Sequence, residues 1–99
     1  MKQGILWLRL QSICEQLCGE HVELHISTQL HPEIRGSVLR SGPGQVEILL
    51  NAANAKDADA VILTLAHELA HVRTGSPEHD EAFYCSWDNL QETIDGLYA

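Results

Sequence analysis

The chain has 99 residues, 44% of them hydrophobic, and a formal net charge of −8. This fits one domain, residues 1–99, with a single core that needs no metal merely to fold. Six basic residues against fourteen acidic ones count against a nucleic-acid-binding surface, which uses clustered Lys and Arg to displace counterions.

The cysteines Cys14, Cys18 and Cys85 are odd in number and fit no disulfide framework. The apolar run near the start is interrupted by Arg9 and followed by Glu15, with no small-residue cleavage site, so no signal peptide is expected. No stretch approaches the roughly 20 apolar residues of a membrane span. A reducing, cytoplasmic compartment is expected.

Residues 3–18 have helical periodicity. Leu6, Leu10, Ile13 and Leu17 form a stripe with Cys14 and Cys18 beside it, and Gly19 stops the helix. HVELHIS, residues 21–27, then alternates strictly. Val22, Leu24 and Ile26 face one way, while His21, Glu23 and His25 face the other, where solvent rather than metal is expected. Pro32, Gly36, Gly42, Pro43 and Gly44 punctuate the stretch from residue 31 to residue 51. A second strand is expected over Ile34–Arg40, a turn at SGPG (41–44) and a third strand over Gln45–Leu50, the last two as an antiparallel hairpin.

From Asn54 or Asp57 the period becomes helical. Asp57 and Asp59 suit the positive start, Arg73 the finish, and Gly75 the stop. Apolar residues cover most of this helix, which predicts a central, buried position. A last helix is expected with Ser76 as N-cap and Pro77 in its first position, burying Phe83, Trp87, Leu90, Ile94 and Leu97. The order helix, three strands, helix, helix predicts an α+β domain with a mostly antiparallel sheet.

The buried helix carries HELAH. His67 and His71, four apart, lie on one face, one turn apart, at a spacing that suits a shared metal. Imidazole nitrogens are favourable zinc ligands. Glu68 projects about 100° around the helix from His67, where it can serve as a base toward metal-activated water without being a ligand. A catalytic zinc takes a third protein ligand. His79 is the first candidate, with Asp80, Glu81, Asp88 and Glu92 as acidic alternatives. Tyr84, Arg73 and Tyr98 are candidate donors to an oxyanion, with Tyr84 preferred.

ILLN, a spacer, LAHELAHV, a Gly-containing loop and HDEAF together resemble the SprT-like and WLM-type zinc metallopeptidases of the zincin clan, over roughly residues 45–90. The resemblance implies a minimal zincin-like domain that binds Zn²⁺. It implies His67, His71 and His79 as ligands, Glu68 as catalytic base, and Phe83 as the aromatic residue packing the second helix. The loop from His71 to His79 is longer than in those families, which keeps the acidic alternatives open. The metzincin pattern fits less well, because its methionine turn has no counterpart when the only methionine is Met1. Bacterial RNA-maturation hydrolases use three histidines without this glutamate, so Glu68 favours peptide hydrolysis.

The expected function is therefore that of a zinc metalloendopeptidase acting on a peptide or protein. Its third strand, Gln45–Leu50, is expected as an edge beside the cleft that an extended peptide can pair with. Little chain remains for substrate selection, which points to a recruiting protein partner. The alternatives are a catalytically silent zinc-binding interaction module and a zinc hydrolase of a non-peptide substrate.

Overall fold

The computed structural model describes residues 5–99, so residues 3 and 4 of the expected first helix lie outside them. The elements run α1 (Trp7–Cys18), β1 (His21–Ser27), β2 (Gly36–Gly42), β3 (Gln45–Asn51), a single 3₁₀ turn (Ala52–Asn54), α2 (Ala58–Thr74) and α3 (Glu81–Tyr98). The result is a small α+β domain of three helices and a three-stranded mixed sheet. No described helix is long and apolar enough to cross a membrane.

Helix α1 stops where Gly19 takes a left-handed φ of 71° and its N–H returns to the Glu15 carbonyl at 2.9 Å. Its buried face is Leu10, Ile13 and Cys14. Leu6, expected in that stripe, precedes the helix and stays exposed. Burial pushes the Cys14 thiol up to about 12.

The strands are ordered β1-β3-β2. The β2–β3 hairpin is antiparallel as expected, turning at Pro43 and Gly44, with Gly44 at φ 72°. β1, however, runs parallel to β3, with Val22 beside Val46 and Leu24 beside Ile48. The sheet is therefore mixed rather than mostly antiparallel, and β3 is its centre rather than its edge. The physical reason lies in β3 itself. Val46, Ile48 and Leu50 are at most 2% exposed and Leu49 is half-buried on the other face, so this strand gains most from neighbours on both sides. The edge beside the later cleft is β2.

Helix α2 begins at Asp57, whose carboxylate accepts from the Ala60 N–H at 2.8 Å, and ends at Gly75, φ 67°. Val61, Ile62, Leu65, Ala66, Leu69 and Ala70 are buried. α1 packs on β1, α2 packs on β2 and β3, and α3 packs against both helices. His21, Glu23 and His25 stay on the open face of the sheet, as their alternation predicted.

The last helix starts later than expected. Its N-cap is Asp80, which accepts from the Phe83 N–H at 3.0 Å, not Ser76. Ser76 makes only a local turn, its hydroxyl accepting from the Glu78 N–H at 3.1 Å. A helix beginning at Pro77 would need the Ser76 carbonyl for its first backbone bond. That carbonyl instead accepts from His71 Nδ1 at 3.0 Å. Phe83, Leu90 and Ile94 are buried, while Leu97 is exposed and Tyr98 packs against the core in its place.

Candidate metal centre

The helical period of α2 sets His67 and His71 one turn apart on one side. Gly75 then reverses the chain, and the loop from Ser76 brings His79 back, one residue before the Asp80 cap. The three rings form a near-equilateral triangle. Their centroids are 4.9 Å apart for His67–His71, 5.3 Å for His67–His79 and 5.0 Å for His71–His79. One ring nitrogen from each lies within 4.8 Å of the others. Imidazoles held at about 2.0–2.1 Å around one tetrahedral ion would place their ring centres roughly 5 Å apart. The donor set and its spacing therefore fit zinc and leave a fourth position for a water or substrate atom.

Two details favour nitrogens turned inward. His71 Nδ1 faces a carbonyl, which can only accept, so the neutral ring carries its proton there and keeps the Nε2 lone pair free. That Nε2 lies 3.2 Å from His79 Nε2, close to the roughly 3.3 Å expected for two nitrogens on a tetrahedral zinc.

An aromatic floor holds the triangle in place. Phe83 is fully buried and its ring centre is 5.1, 4.5 and 4.7 Å from those of His67, His71 and His79. Trp87 meets His67 edge to face at 4.9 Å, and its indole N–H donates to the Leu63 carbonyl at 3.3 Å.

Glu68 is 6% exposed, and its Oε1 lies 3.2 Å from His67 Nδ1. It lines two clefts that meet at His67. The first, about 570 Å³, runs between β2 and the end of α2. The second, about 590 Å³, lies between residues 33–36 and the Leu63–Trp87 side of the helices. Gly36, His67 and Glu68 belong to both. At Gly36 the backbone of β2 comes close to α2. A Cβ there would come within 2.8 Å of Thr64 Cγ2 and 3.0 Å of the Leu49 carbonyl oxygen.

The acidic alternatives stay apart from the triangle. Asp80 is occupied as a helix cap, Glu81 is exposed on the first turn of α3, and Asp88 and Glu92 line a separate groove on that helix. Of the three candidate oxyanion donors, none lines the two clefts. Tyr84 is 52% exposed and stacks on Trp87; Arg73 donates to Asn89; the Tyr98 hydroxyl accepts from the Leu6 N–H. Nothing in the position of Tyr84 supports a bond to an oxygen held at the histidines.

The sequence reading missed the β2 contribution: Gly36, Ser37, Val38 and Arg40 line the first cleft. Arg40 donates to Glu20 from both terminal guanidinium nitrogens, Nη1 and Nη2, and this contact holds the Glu20 carboxyl below its ordinary value. The available signal was Gly36 itself, a glycine within a strand pattern, which often marks close backbone approach. Asn51, only 4% exposed, was also missed. Its Nδ2 donates to the carbonyls of His31 at 3.2 Å and Ile34 at 2.7 Å, pinning the loop before β2.

A second convergence of possible ligands, Glu23, His25 and Glu47, lies on the open sheet face. There His25 Nε2 is already paired with both carboxylates, at 3.3 and 3.4 Å.

No family model, curated protein or solved structure matches the chain.

Proposed function

We propose that this chain is a zinc-dependent peptidase built on a minimal zincin-like domain, in the manner of the SprT-like and WLM-type metallopeptidases it resembles. The observation that carries this reading is the histidine triangle with the buried Glu68 beside it, where two clefts meet. His67, His71 and His79 would hold Zn²⁺, which supplies Lewis acidity toward a carbonyl and lowers the pKa of water.

The chain's own residues do the rest. An extended substrate lies across the waist between the clefts and pairs with the free edge of β2, the strand whose other edge is bonded to β3. Glu68 accepts a proton from the attacking water as its oxygen bonds to the scissile carbon. The C–N bond then breaks, and the same carboxyl passes the proton to the leaving amine. The low exposure of Glu68 keeps this proton out of bulk water.

One observation favours a second reading, a zinc-binding interaction module without turnover: none of the expected oxyanion donors lines the clefts. Metal content per chain and casein cleavage separate the readings. For the peptidase, wild type holds about one zinc and cleaves, His79→Ala loses the metal, and Glu68→Gln keeps the metal but loses cleavage. Zinc without cleavage of casein or candidate partners supports the module. No zinc after incubation at neutral pH sinks both.

A further inference from the structure

We propose that the second cleft is a side-chain pocket that takes one large apolar residue of a peptide and holds it next to the scissile bond; this rests on the peptidase reading above. The pocket shares Gly36, His67 and Glu68 with the first cleft, so whatever fills it is adjacent to the reacting bond. It lies on the far side of that waist from Arg40 and His79.

Its walls are apolar for specific reasons. Trp87 commits its only polar hydrogen to the Leu63 carbonyl, which leaves the indole carbons to face the cavity. Thr64 turns its hydroxyl back to the Ala60 carbonyl at 3.2 Å, and its methyl points toward Gly36. Leu63 completes one side, and Ile34 stands at the mouth with 44% of its surface exposed. Covering that isoleucine and the indole with a substrate side chain removes apolar surface from water. Glu33 and Arg35, which also line it, carry opposite charges, and the Glu68 carboxylate disfavours an acidic side chain.

The wall is also rigid. The loop that carries Ile34 is tied to β3 by both Asn51 side-chain donations and by the Asn51 N–H to the Arg35 carbonyl at 2.9 Å. A preformed apolar pocket beside the reacting atoms is what side-chain selection requires. Leucine or phenylalanine is the expected occupant. Alanine offers less apolar surface to cover against Trp87 and Ile34.

Two measurements on the 99-residue chain test this. The first is the kcat/KM ratio for a peptide pair differing only in Leu or Ala at the residue beside the cleaved bond. A preference of about tenfold or more for Leu is expected, falling toward one in Ile34→Glu. The second needs no turnover. Protein labelled with 5-fluorotryptophan gives fluorine signals for Trp7 and Trp87, assigned with Trp7→Phe. Millimolar N-acetyl-leucinamide should shift the Trp87 signal, N-acetyl-alaninamide should not, and Ile34→Glu should abolish the shift while leaving the circular dichroism unchanged. A Trp87 shift without cleavage of any peptide supports the pocket and removes the peptidase reading. Cleavage with equal Leu and Ala rates and an unmoved Trp87 overturns the pocket and leaves the peptidase reading standing. No shift and no cleavage overturn both.

Discussion

Gly36→Ala is a one-atom probe of how the edge strand is fitted to the motif helix. The added Cβ would sit 2.8 Å from Thr64 Cγ2, 3.0 Å from the Leu49 carbonyl oxygen and 3.8 Å from Glu68 Cγ. The first contact is impossible as it stands, and the second is tight against backbone that is bonded into the sheet. Overpacking of this kind costs about 1–3 kcal/mol. For a domain of this size each kcal/mol lowers Tm by roughly 4–8 °C, so a cost of about 2 kcal/mol is a drop of roughly 8–16 °C. The second half of the cycle is Thr64→Ser, which deletes Cγ2 and keeps the hydroxyl that bonds the Ala60 carbonyl. In the Gly36→Ala background this change should return about half of the loss. It should not return all of it, because the Leu49 oxygen remains. The assay is urea unfolding of the four proteins by circular dichroism, which isolates the coupling between the sites. A Gly36→Ala protein as stable as wild type, or losses that simply add, would show that β2 does not approach α2 this closely. The waist between the clefts would then have no basis.

Zinc at about one hundred times its dissociation constant should stabilise the wild type by about 2.7 kcal/mol, raising Tm by roughly 10–20 °C. A thermal scan of His79→Ala should show most of that increment gone. Asn51→Ala leaves the carbonyls of His31 and Ile34 and the N–H of Ala53 without their side-chain partner. A stability loss of about 2–3 kcal/mol and faster amide exchange across residues 31–36 are expected, and unchanged exchange there would refute the clamp. Among the cysteines, iodoacetamide should modify exposed Cys85 in the native protein and leave buried Cys14 untouched, as read by peptide mapping. Cys14 also sets a pH dependence. Its thiol is raised from 9.0 to about 12 by burial, so its contribution is complete below pH 9 and is lost as pH rises toward 12, because only the unfolded chain ionises in that window. Stability should fall between pH 9 and 11 by as much as about 1.4 kcal/mol per unit more steeply in wild type than in Cys14→Ala.

What was legible in the sequence was set by local chemistry. Asp57 and Gly75 bound α2 because a cap and a left-handed stop act within one turn. The alternation of HVELHIS marked the inward face of β1 at Val22 and Leu24, although Ile26 on that face is 47% exposed, and the proline and glycine of the 41–44 turn marked the hairpin. The position of β1 was not legible, because alternation specifies a face but not a neighbour. Only the apolar run Ile48-Leu49-Leu50, which puts apolar side chains on both faces of β3, hinted that it would be central. The start of α3 misled for a different reason. Ser76-Pro77 and Asp80 are both good local starts; Asp80 caps the helix, and the Ser76 carbonyl bonds to His71, a contact across the Gly75 turn that sequence does not show. Within the site, HELAH and His79 were readable as candidates, while the β2 wall depends on a long-range approach that only Gly36 betrays.

The motif can sit in an apolar helix because the same residues serve the core and the site. Ala66 and Ala70 are buried without bulk on α2, on the helix that carries His67 and His71, and α3 packs against it with Phe83 fully buried. Phe83 is thus a core residue whose ring also faces all three imidazoles. The spacing of the rings is consequently set by side-chain packing and by the Ser76 and Asp80 hydrogen bonds. A metal entering such a triangle has little to rearrange, so its affinity should depend on core integrity as well as on the ligands. This coupling runs both ways: a change that loosens α3 against α2 should weaken metal binding without touching a histidine, and bound metal should in turn pin α3 to α2.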